Sequence, residues 1–261
     1  MCELLGLAFN VPVNAHVSFR GFRHRGIDNR DGWGLAWFQD GQPKIRKEPA
    51  PASTSKDALA VQLNNNILST IFIGHVRLAN RGRLSMANTH PFYRDFHGEP
   101  IVFAHNGTLQ NLPRPMSFKP DGETDSEQAL CILLSRMADK KSSFSDYPWI
   151  EIQLRELNQY GNMNVLFSNG VELFIYRDIK GYKGLCLTYR ESPFQTVSLR
   201  DEDWSVNLLE EKKPGERGFV VATRPLTTGE SWKDLVVGDL LVIREGKIVY
   251  GKPFNILSSK I

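Results

Sequence analysis

Met1-Cys2-Glu3-Leu4-Leu5-Gly6-Leu7-Ala8-Phe9 opens the chain. From Glu3 to Phe9 the run is short and apolar and reads as a buried strand, so a cysteine stands at the head of the first strand. A side chain as small as cysteine permits removal of the initiator methionine. The thiol would then share its residue with a free α-amino group that titrates near about 8. Such an amine can take the thiol proton, directly or through one water, and later hand it to a leaving group. A cysteine on a frayed terminus or in an apolar strand is the plain alternative that position alone leaves open.

Outward from this strand, similar segments recur at Trp33–Gln39, Thr70–Arg77, Ile101–His105, Asn164–Ser168, Glu172–Tyr176, Leu185–Tyr189, Phe219–Thr223, Leu240–Arg244 and Lys247–Tyr250. That many strands need two sheets or a barrel. A helix is expected over Asp125–Lys140, where Leu130, Leu133, Leu134 and Met137 share one face and Thr124-x-x-Glu127 supplies a capping box. A second is expected from about Tyr147 to Tyr160 with Ile150, Leu154 and Leu157 buried, and a third over Asp57–Asn65 around Leu59 and Leu63. Helices clustered between clusters of strands point to a layered α+β sandwich and not to alternating βαβ units.

The 32 basic and 29 acidic side chains are scattered, with no like-charge block, so no nucleic-acid partner is expected. No apolar run reaches membrane-span length and the start lacks a secretory pattern, which predicts a cytoplasmic protein without a membrane partner. Three cysteines, Cys2, Cys131 and Cys186, form no Cys-x-x-Cys pair, which argues against disulfides and zinc knuckles. Cys131, Cys186, Trp33 and Trp37 read as core. The histidines match no zinc spacing, so neither metal nor cofactor is expected.

Behind Cys2 come Gly74-His-Val-Arg77-Leu-Ala, Phe103-Ala-His-Asn106-Gly107-Thr-Leu and Gly122-Glu-Thr-Asp125-Ser-Glu, with Asn88-Thr-His90-Pro91-Phe92, an early Arg25-Gly26, and Asp31-Gly32-Trp33-Gly34. Their order and spacing resemble the glutaminase domain of class II glutamine amidotransferases over roughly the first half of the chain. Each motif is common alone; the ordered set behind a second-position cysteine is specific.

The residue types also make chemical sense. A thiolate attacking a carboxamide creates an oxyanion, and the Asn106 side-chain amide next to the Gly107 backbone N–H offers two donors for it. A hairpin turn is the other reading of Asn-Gly. Free glutamine carries an α-carboxylate and an α-ammonium, which call for one fixed cation and one fixed anion. Arg77 supplies a planar fork for the carboxylate, and Asp125 an anion at a helix start. For these two, a strand-end ion pair and first-turn charge compensation are the structural alternatives.

The resemblance implies the four-layer αββα sandwich of N-terminal-nucleophile hydrolases, with residues 2–261 as one glutaminase domain and Met1 removed in the active form. It also implies a γ-glutamyl thioester on Cys2, released as glutamate. His75, His90 and His105 are expected to shape loops through hydrogen bonds, and Arg25 and Gly26 to shape the site. Leu78-Ala79-Asn80-Arg81 stands where members with a fused synthase carry Trp-Ala-Thr-His; Asn80 can still hydrogen-bond a head group. Asp28 and Asp31 compete for one family position. With no second domain recognisable, three activities stay open. One is a glutaminase serving a separate synthase. Another is a hydrolase of larger γ-glutamyl amides that resembles the ergothioneine-pathway enzymes, and the third is a silent glutamine-binding regulator.

Overall fold

In the computed structural model, residues 2–79 and 82–252 are described. Strands and helices are numbered in chain order. One sheet has seven antiparallel strands, in spatial order β14 (Lys233–Asp234), β9 (Cys186–Arg190), β12 (Gly218–Ala222), β1 (Glu3–Val13), β4 (Ser69–Arg77), β2 (Gly32–Gln39) and β3 (Gln42–Glu48). The other has six: β16 (Lys247–Tyr250), β15 (Leu240–Arg244), β8 (Glu172–Tyr176), β7 (Gly161–Ser168), β6 (Glu99–Leu109) and β5 (Phe92–Phe96). A small sheet of β11 (Ser205–Asn207), β10 (Thr196–Leu199) and β13 (Thr227–Thr228) lies apart.

Side-chain alternation along the strands builds the layers. In β1, Leu4 and Ala8 enter a core shared with Val102 and Ala104 of β6 and Leu166 of β7, so the two sheets pack face to face. The intervening Leu5, Leu7 and Phe9 pack with Phe19 and Phe22 of α1 (His16–His24) and Ala58 of α2 (Lys56–Leu63). On the far side, Ile101 and Phe103 of β6 meet Leu130 and Leu133 of α3 (Asp125–Lys140) and Leu154 of α4 (Tyr147–Asn158). The result is the four-layer αββα sandwich. Among the described residues no helix is long and apolar enough to cross a membrane.

The two long helices agree with their periodicity: Leu130, Leu133, Leu134 and Met137, and Ile150, Leu154 and Leu157, are all buried. The expected helix near Asp57 forms but is turned the other way. Ala58 and Gln62 face inward, while Leu59 and Leu63 are exposed, because this face is set by the fit of Ala58 in the core and by the hydrogen bonds that join Gln62 to Arg23 and His16 of α1. The capping box is half made. Thr124 Oγ1 accepts the Glu127 N–H at 3.2 Å, but the buried Glu127 carboxylate turns instead to the N–H groups of Asp121 and Gly122 and to Arg94. Trp33, Trp37, Cys131 and Cys186 are core residues, as expected.

Candidate active site

Cys2 continues the alternation of β1, in phase with Leu4, and so faces the space between the sheets. Its Sγ accepts the Leu78 N–H at 3.3 Å and lies 3.3 Å from the Leu78 carbonyl, to which the thiol can donate. Burial pushes the thiol pKa up from its ordinary value, against the Leu78 hydrogen bond and the nearby charge of Arg77, which pull it down. A small cavity of about 40 Å³ opens beside the sulfur, bounded by Arg77, Ala79, His90, Gly107 and Asp125. A larger hollow of about 590 Å³ beside β9, at Tyr189, Phe194 and Glu230, lies away from the cysteine, so size does not mark the chemistry in this molecule.

Asn106 reaches the same interlayer from the opposite sheet, in phase with Ala104. It is 1% exposed, and its Nδ2 has no hydrogen-bond partner among the described residues. A buried amide donor left unpaired costs stability, commonly about 1–3 kcal/mol, unless a ligand or water meets it. The Asn106-Gly107 pair is not a hairpin turn: it lies within β6, which continues to Leu109, paired residue by residue with β7. Glycine is required at 107 for close approach, since a Cβ there would sit 1.9 Å from the Asn162 carbonyl oxygen.

Arg77 ends β4 beside Cys2, its Nη2 donating to the Gly82 carbonyl at 3.4 Å. Asp125 opens α3, and its Oδ2 accepts the Leu109 N–H at 2.6 Å, tying the helix start to the end of β6. Asn80, expected in the head-group site, lies outside the described residues, as does Met1.

The three histidines behave differently from one another. His105 contacts Ser126 Oγ through Nδ1 at 2.9 Å and donates from Nε2 to the Asn162 carbonyl at 3.0 Å, and burial pushes its pKa down. His75 and His90 depart from the expected hydrogen-bonding role and instead stack at 4.0 Å. His75 lies against the His105 main chain, and neither nitrogen of His90 has a partner among the described residues. Burial pushes His75 down to about 3 and His90 well below its ordinary value, with the neighbouring imidazoles and Arg77 adding to the effect. All three rings are therefore neutral at pH 7 and poor proton acceptors.

Arg25 and Gly26 do not reach the cavity. The buried Arg25 guanidinium binds Glu3 at 2.5 Å, Asp201 at 2.9 Å and the carbonyls of Arg224 and Pro225, so it holds the residue after Cys2 from behind. Gly26 makes room for the backbone of Ala52 and Ser53. Of the two competing aspartates, Asp31 stands at the site: its Oδ2 accepts the Ala79 N–H at 2.7 Å. Sequence reading missed the Leu78 backbone, which carries no side-chain signature, and Tyr182. The phenol of Tyr182 is pushed up by burial and then by the charge of Cys2. Its carbonyl is held by Asn164, the cross-strand partner of Asn106.

The four-layer sandwich, with a cysteine at the head of an inner strand and a buried amide donor opposite it, has the fold of the N-terminal-nucleophile hydrolase type. Residues 1–259 match the family described as "Glutamine amidotransferases class-II", and the chain belongs to that family. It is 40% identical over 255 residues to an uncharacterized protein of Methanocaldococcus jannaschii, covering 96% of this chain and 71% of that one. Identity to YafJ of Escherichia coli is 34%, over 92% of this chain and 96% of YafJ. The crystal structure of a predicted glutamine amidotransferase from Pseudomonas aeruginosa superposes with a TM-score of 0.72 at 30% identity, covering 96% of this chain and all of that one. The Bacillus subtilis glutamine phosphoribosylpyrophosphate amidotransferase shares the fold at TM-score 0.63 and 16% identity, over 95% of this chain and 48% of its own.

Proposed function

We propose that this protein hydrolyses the side-chain amide of glutamine, or of a related γ-glutamyl amide, through a thioester on Cys2 once Met1 has been removed. The observation that carries the reading is the buried Nδ2 of Asn106, without a hydrogen-bond partner among the described residues, facing the interlayer into which Cys2 points.

The α-amino group of Cys2 takes the thiol proton, a role that the neutral histidines fill poorly. The Leu78 N–H supports the thiolate. Attack on the carboxamide carbon forms the C–S bond and an oxyanion, which Asn106 Nδ2 and the Gly107 N–H receive. Collapse breaks the C–N bond, and the α-ammonium returns its proton so that ammonia departs. Water then adds to the thioester and releases glutamate and the thiol. Arg77 holds the substrate α-carboxylate and Asp125 the α-ammonium, with Asn80 as a further contact; His90 walls the site and Arg25 and Gly26 support it from outside. The ammonia would pass to a separate synthase.

The test is glutamate release from glutamine by Met1-free protein, verified by intact mass, against Cys2→Ala. Release that vanishes in the variant supports the reading. Equal release by both proteins would refute it, and no release by either would move the assay to bulkier γ-glutamyl amides.

A further inference from the structure

The chain that runs on from Arg77 and the chain that leads into Asp125 meet at Asn88. This side chain is 2% exposed. Its Nδ2 donates to the Arg83 carbonyl at 3.1 Å and its Oδ1 accepts the Glu123 N–H at 2.7 Å. Both neighbours are shaped to it. A Cβ on Gly122 would lie 2.4 Å from Oδ1, and one on Gly82, whose φ is +73°, would lie 3.0 Å from Nδ2. Gly82 in turn offers its carbonyl to Arg77 Nη2, and Glu123 is followed by the Thr124 cap and Asp125.

Asn88 is itself anchored. Its N–H donates to the Ser85 carbonyl at 3.2 Å, and the next residue, Thr89, donates its hydroxyl to the same carbonyl at 2.8 Å. The Thr89 carbonyl then accepts Lys47 Nζ at 2.7 Å, which pins the turn to β3. A buried carboxamide satisfied at both ends makes a stiff link, and geometric errors near 1 Å at a binding site are costly.

We propose that Asn88 is a positioning residue that sets the spacing between Arg77 and Asp125, and thereby the preference for substrates with an adjacent free α-carboxylate and α-ammonium. This rests on the reading that Arg77 and Asp125 hold the head group. The link acts on recognition and leaves the thiol alone, since neither arm of the Asn88 amide touches Cys2 or Asn106.

The test is Cys2 labelling of the Met1-free protein by two electrophiles. One is a diazoketone analogue of glutamine that keeps both α groups; the other is iodoacetamide, which has no head group. Asn88→Ala removes both arms. Asn88→Asp keeps the acceptor for Glu123 and the residue's size, and replaces the donor to Arg83 with an acceptor. In both variants the diazoketone concentration at half-maximal rate should rise at least about fivefold while the iodoacetamide rate stays within about twofold. Arg83 and Glu123 are exposed residues, so the loss of the two bonds falls at the surface end of the link and folding should survive; should Asn88→Ala not fold, Asn88→Asp decides. An unchanged half-maximal concentration, or an equal loss with both reagents, overturns the proposal. Arg77→Lys in the same assay separates the two levels. If it raises the half-maximal concentration and the Asn88 variants do not, only the positioning role fails; if it has no effect, the head-group reading fails as well.

Discussion

Asp31 and Ala79 are joined by a 2.7 Å hydrogen bond from the Ala79 N–H to the carboxylate, while the Asp31 N–H donates to the Arg77 carbonyl at 2.9 Å. The approach to β2 thus grips the chain on both sides of Leu78, whose N–H meets the Cys2 sulfur. Asp31→Ala removes a hydrogen bond to a charged acceptor, commonly worth about 1.5–3 kcal/mol, and should lower kcat/KM for glutamine by about tenfold or more. Asp31→Asn, which keeps an acceptor oxygen, should lie between. Steady-state kinetics of the three proteins check this order, and wild-type values for Asp31→Ala would refute the grip.

Arg77→Lys keeps the charge but loses the planar fork. The Michaelis constant for glutamine should rise about tenfold or more with kcat changed far less. An unchanged constant would remove Arg77 from substrate binding.

Asn106→Ala deletes the unpaired donor. By analogy with the loss of one oxyanion donor elsewhere, kcat should drop about 10²–10³-fold with little change in KM. Because the Nδ2 has no partner among the described residues, the folded protein should not be destabilised by the change, and thermal melting checks that independently.

Gly107→Ala should act on the fold first. With the Asn162 carbonyl 1.9 Å from the added methyl, β6 and β7 must shift, at a cost of about 1–3 kcal/mol by the usual scale of overpacking. Urea denaturation would detect it; wild-type stability would mean that the two strands part freely.

His75 and His90 stay neutral in the folded protein under the burial and charge of their site, with His105, Arg77 and Lys47 nearby, whereas in the unfolded chain they protonate near 6.5. As pH falls below 6.5, the unfolded state gains protons that the folded state refuses, so stability falls, and for His75 the fall continues to about 3. Each such histidine contributes up to about 1.4 kcal/mol per pH unit in that window. Urea midpoints between pH 7 and 5 should fall more steeply for wild type than for His90→Gln; parallel slopes would contradict this.

How much could be read from the chain follows from where each signal is local. The strand from Glu3, the helix face of Leu130 to Met137 and the cysteine at the head of β1 are local patterns, and the layers follow from them. Register across strands is not local, so the Asn-Gly dipeptide by itself leaves a hairpin turn open, and only its pairing with Asn164 and Met163 places it inside β6. β3 went unread because its alternation, Gln42-Pro43-Lys44-Ile45-Arg46-Lys47-Glu48, is almost wholly polar. α1 was hidden by Ser18, Arg20 and Gly21 between its buried Val17, Phe19 and Phe22. Arg25 looked like a site residue by motif. Only the tertiary fold reveals that its partners are Glu3 and Asp201, far along the chain.

β1 lies between β4 and β12, and the Leu4 N–H bonds the Thr223 hydroxyl 219 positions away. During translation the first strand leaves the ribosome early and its partner much later, and pairing over such a separation is slow. Until Thr223 and Arg224 arrive, β1 has a partner on one edge alone, and the thiol at its head lacks the finished interlayer around it. The interval of greatest exposure for the thiol is therefore set by the last strand to arrive, and it closes when β12 docks.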